Sequence, residues 1–148
     1  MIFDEIEIQY NEVDGFLSNE EFKARASNDE VAEFGYALKR ERNDQAYFLY
    51  MFSKLENQIV ENTNQLFIDR EAAAVDEKDK TVWKLARQKK LDLMERVSFL
   101  TPSGNVNYKK VFDLKKKRDS VAHGKYATGV NIPTVIGEFK YLAGILVY

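Results

Sequence analysis

A chain of 148 residues with 45% hydrophobic and 31% charged side chains fits one soluble domain with its own core, not a disordered or fibrous chain. It has no cysteine, which excludes disulfides, thiolate zinc sites and cysteine nucleophiles, and no apolar run approaches the roughly 18–20 residues that span a bilayer. The net charge of -2 conceals an asymmetry: residues 1–33 carry a balance of -8, whereas residues 84–125 carry twelve basic against four acidic side chains, a balance of +8. A basic segment of that strength suits nucleic acid, or serves to neutralise the acidic one across the fold.

The N-terminal Met1-Ile2-Phe3-Asp4-Glu5 shows no basic leader followed by an apolar stretch, so a cytoplasmic protein is expected. Residues 2–13 fit either a strand or a helix. Helices are predicted at Asn19–Ala26 and Asp29–Arg40. The strongest helix is predicted over 43–74, where Phe48, Phe52, Leu55, Ile59, Leu66 and Ala73 recur at helical spacing. Asn43 or Asp44 suits its N-cap, and a bend within it is allowed for. The next helix is predicted from a Thr81 cap through Val82, Leu85, Ala86, Leu93, Val97 and Leu100, with Lys89 and Lys90 interrupting its apolar stripe. Thr101-Pro102-Ser103-Gly104 ends it in a turn. A helix follows from Asn105–Asn107 towards Ala122, with Gly124 as the residue after its C-cap. The last opens at Pro133 and carries Ile136, Phe139, Ala143 and Leu146. No linker or repeat divides the chain. The expectation is one all-α domain over 1–148, an antiparallel bundle of four to five main helices, with an acidic 1–42 segment packed on a 43–148 core.

Arg118-Asp119-Ser120-Val121-Ala122-His123 carries the most chemistry. Arginine is a permanent cation that grips phosphate in a bidentate fork. His123 is the only histidine, the residue type that moves protons near neutral pH. On an ideal helix the two stand about 140° apart. If Gly124 ends the helix, His123 falls on a looser final turn. Lys115, Lys116, Lys117 and Lys125 surround the pair. A surface arginine beside a histidine at a helix end, and a solvated lysine run, are the plain structural alternatives. Glu56 suits an exposed position, and Trp83, Tyr47, Tyr50 and Tyr108 suit core or interface packing. No Gly-rich phosphate loop or histidine-based metal spacing is present, so neither metal nor cofactor is expected.

The stretch Arg118-Asp119-Ser120-Val121-Ala122-His123-Gly124 resembles the R-x(4–6)-H motif of the HEPN superfamily, whose members carry Asn, Asp or His after the arginine. The resemblance extends to a small helical bundle with the motif late in the chain, over roughly residues 43–148. It implies a HEPN-like fold and a metal-independent endoribonuclease of toxin–antitoxin or antiviral type. Two motifs would meet at a homodimer interface. Arg118 would bind the phosphorane oxygens, His123 would act as general base or acid or as a phosphate ligand, and Asp119 would orient one of them. Lys115, Lys116, Lys117 and Lys125 would hold RNA, with Tyr126 as an aromatic platform. In members paired with a nucleotidyltransferase antitoxin a tyrosine follows the histidine by two residues, whereas Tyr126 follows by three. A non-catalytic RNA- or nucleotide-binding module, or an interaction protein, is the alternative.

Overall fold

The computed structural model describes residues 1–125 and 130–148. Among them are six helices and no strand: α1 (Ile2–Ala26), α2 (Glu30–Ala73), α3 (Glu77–Gln88), α4 (Leu93–Leu100), α5 (Val106–Ala122) and α6 (Ile132–Ile145). The chain is an all-α bundle, and none of these helices is long and apolar enough to cross a membrane. Two compact units divide it: Met1–Phe52 with Lys116–Lys140, and Ser53–Lys115 with Tyr141–Tyr148.

In the first unit, residues 2–13 resolve to helix. Phe3, Ile6 and Tyr10 are buried at spacings of three and four, while Ile2 and Ile8 are exposed. α1 ends in a Schellman turn: Asn28 adopts φ 56°, and the Asp29 N–H donates to the Ala24 carbonyl at 2.9 Å. Asp29 then caps α2, accepting the Ala32 N–H at 3.0 Å. The two helices run antiparallel, held by Tyr10 donating to Asp44 Oδ1 at 2.6 Å and by an arginine fork. Arg40 donates to both Asp14 oxygens, at 2.8 and 3.0 Å, and to Glu21 at 3.0 Å. α6 lies against both, with Phe139 on Phe3 and Phe48, at centroid distances of 6.0 and 5.6 Å. Lys140 ties the same helix to Asp4 at 2.7 Å and to Glu7. Acids of the N-terminal segment are thus met by Arg25, Arg40 and Lys140.

The predicted helices at 29–40 and 43–74 are one continuous helix. Asn43 and Asp44 cap nothing, because Asp44 faces the buried Tyr10 hydroxyl and the chain continues through both residues.

In the second unit, Phe67 gathers Trp83 of α3 and Phe99 of α4, at 6.1 and 4.8 Å between centroids. The helix expected from Thr81 to Leu100 is two helices. Asp76, not Thr81, caps α3, accepting the Lys78 N–H at 2.8 Å, and the Thr81 hydroxyl donates back to the Glu77 carbonyl. Asp92 and Glu95 form a reciprocal capping box at 2.8 and 2.9 Å that starts α4 afresh. The fully buried Thr63 donates to the Ile59 carbonyl and accepts from Arg96, both at 2.8 Å. Gln58 donates to the Ala143 carbonyl at 2.6 Å and so closes the C-terminal end of α6.

Candidate nucleic-acid site at the end of α5

The final turn of α5 is built by its glycine. The Gly124 N–H donates to the Val121 carbonyl at 3.0 Å, and the Lys125 N–H to the Ser120 carbonyl at 2.9 Å. This pair of bonds is a Schellman motif, and it requires the left-handed φ of 71° that Gly124 adopts. His123 is therefore the C-cap, with its own N–H still bonded to the Asp119 carbonyl at 3.1 Å. Its imidazole is exposed.

Arg118 is half-buried, one turn earlier. Its guanidinium carbon lies 5.0 Å from the centroid of the buried Phe52 ring, a cation–π contact within the first unit. Its Nε is 3.2 Å from Asp119 Oδ1. Although this is ion-pair distance, the Nε–H is shut from solvent and makes no hydrogen bond among the described residues, because adjacent residues on a helix do not align donor and acceptor. Asp119 therefore acts on Arg118 electrostatically, and the Phe52 ring braces the guanidinium.

Arg118 and Asp119 are thus brought together, and His123 stands at the cap beyond them. Lys116 and Lys117 open the first unit's stretch of α5, and Lys115 closes the second unit's stretch. Lys116 is exposed, while Lys115 and Lys117 are half-exposed; successive helix positions fan about 100° apart, so the three do not share one face. Lys125 is exposed just after the cap. Tyr126 lies outside the described residues. Glu56 is half-buried on α2. Tyr47 packs edge-on against Tyr10 at 5.5 Å and, with Tyr50, Gln9 and Ala46, lines a hollow of about 290 Å³.

Phe52 is the contributor that sequence spacing does not reveal. It reads as one more apolar residue of α2, and its role follows only from a contact across 66 positions. Among the described residues no group of three or more His, Cys, Asp and Glu side chains is placed to hold a metal ion. The chain matches no protein-family model, and comparison with curated proteins and with solved structures likewise finds no match.

Proposed function

We propose that the chain is a metal-independent endoribonuclease of HEPN type, acting in a toxin–antitoxin or antiviral setting and working as a homodimer. The observation that supports this reading best is that one helix carries a braced Arg118 and, at its capped end, an exposed His123. The chemistry is transesterification. The ribose 2′-oxygen attacks the adjacent phosphorus as its proton passes to a base. The bond to the 5′-oxygen breaks, and that oxygen takes a proton from an acid. The products are a 2′,3′-cyclic phosphate and a 5′-hydroxyl. Arg118 stabilises charge on the non-bridging oxygens, and a fork already fixed by Phe52 needs little reorganisation to do so. His123 serves as base or acid, and a second copy's motif would supply the other. Lys115, Lys116, Lys117 and Lys125 attract the RNA backbone, so activity falls with added salt.

This reading is tested with a labelled RNA and purified wild-type and His123→Ala protein. Loss of the histidine lowers the cleavage rate about 100-fold or more; equal rates in the two proteins contradict the assignment. A second reading, a non-catalytic RNA- or nucleotide-binding or interaction module, draws on the engagement of Arg118 by Asp119 and Phe52. It predicts salt-sensitive RNA binding with no products from either protein.

A further inference from the structure

Two helices of this chain carry exposed stripes that mirror each other. On α2, Glu30, Phe34, Ala37 and Glu41 recur at spacings of four, three and four, and all four are exposed. On α3, Lys78, Val82 and Leu85, followed by the C-cap residue Lys89, recur at the same spacings, and all four are exposed. At 100° per residue each set stays within about 60° of arc, so each is one continuous line along its helix. In both, two apolar or small residues sit between two charges: acidic on α2, basic on α3.

Among the described residues, the apolar side chains of both stripes are left exposed. Phe34 is 70% exposed, Val82 58% and Leu85 60%. α3 has no buried residue at all, and what packs it is its other side, through Trp83 on Phe67 and Arg87 on Glu71 at 2.9 Å. Lys89 is held only loosely, 3.6 Å from Glu95 in an exposed pair. Apolar side chains left in water at heptad spacing, with charges at both ends, have the pattern of a helix–helix seam whose partner and register are set by flanking ion pairs.

We infer that the occupant of each stripe is the other stripe on a second copy of this chain. α3 of one molecule lies along the N-terminal part of α2 of the next. Val82 and Leu85 cover Phe34 and Ala37, and Lys78 and Lys89 meet the two glutamates. Equal spacings let all four positions engage at once, in either helix direction. The charge signs select this pairing and disfavour α2 on α2 or α3 on α3. Because the two surfaces differ, the contact is head-to-tail, and assembly either closes into a ring or propagates. The inference is independent of the Arg118–His123 chemistry.

Sedimentation velocity at tens of micromolar protein, in low and in high salt, tests it with two charge-reversed proteins. One carries Glu30→Lys and Glu41→Lys, the other Lys78→Glu and Lys89→Glu; all four positions are exposed, and circular dichroism checks that helicity is kept. Wild type associates in low salt and dissociates in high salt. Each variant alone associates at least ten-fold more weakly. An equimolar mixture recovers association, since the reversed stripes of one variant match those of the other. A wild type that stays monomeric overturns the inference. So does an assembly that neither reversal weakens, which would place the interface elsewhere, or a mixture that recovers nothing.

Discussion

Arg118 shows how a side chain becomes useful through what restrains it. Its charge is fixed, but its direction is set by the Phe52 face and by Asp119. Arg118→Lys keeps the charge and loses the planar fork, so RNA cleavage drops by at least ten-fold while RNA affinity changes less; titration of rate and binding on the same substrate separates the two. Asp44 makes a different case. Burial, opposed by the Tyr10 hydrogen bond, holds its carboxyl above the ordinary value of 3.8. A carboxyl raised in this way is protonated more readily in the folded state than in the unfolded one. Its contribution to stability is therefore complete below 3.8 and is lost as pH rises through the raised folded value. Asp44→Asn keeps an acceptor for Tyr10 and flattens that decline, which thermal unfolding between pH 3.5 and about 7 reads directly. Arg118, Asp119 and His123 stand out in the sequence as candidates by residue type alone. Phe52 and Tyr10 do not, because their roles are set by partners 66 and 34 positions away.

Helix ends set the boundaries of the candidate site and of α3 and α4. Gly124 was legible as a terminator because a side chain there is strained at φ 71° even though an added Cβ meets nothing within 4 Å. Gly124→Ala costs about 1–2 kcal/mol in urea unfolding, all of it backbone strain. It also loosens the cap that carries His123, so cleavage falls with it. The break between α3 and α4 was partly written in the sequence. Lys89 and Lys90 interrupted the stripe, and Asp92 with Glu95 has the spacing of a capping box. Asp92→Ala removes that box and costs about 1 kcal/mol; an unchanged denaturation midpoint would show that α4 is held by Phe99 and Arg96 alone. The fusion of α2 was not legible at Asn43 and Asp44. Their local preference for a cap is overridden by the antiparallel partner helix, which needs Asp44 as an acceptor. Residues 2–13 were ambiguous because Ile6-Glu7-Ile8 alternates like a strand, and only the burial of Phe3, Ile6 and Tyr10 on one side selects the helix.

At the scale of the whole molecule, charge is organised by segment. Acids of α1 are bound by Arg40 and Lys140 within the first unit. The all-α class was readable from periodicity alone, since it depends only on where apolar residues recur. The proposed reaction rests only on residue types and a resemblance in one short motif, because a helical bundle hosts many functions. Catalysis at the α5 end is therefore read from reaction products and not from shape. Wild-type protein and His123→Ala are incubated with a mixed RNA pool in EDTA, and the ends of any fragments are analysed. Wild type alone is expected to cut, leaving 2′,3′-cyclic phosphate and 5′-hydroxyl ends. Intact RNA in both reactions, with both proteins folded and bound to RNA, would contradict catalysis and assign the α5 end to binding.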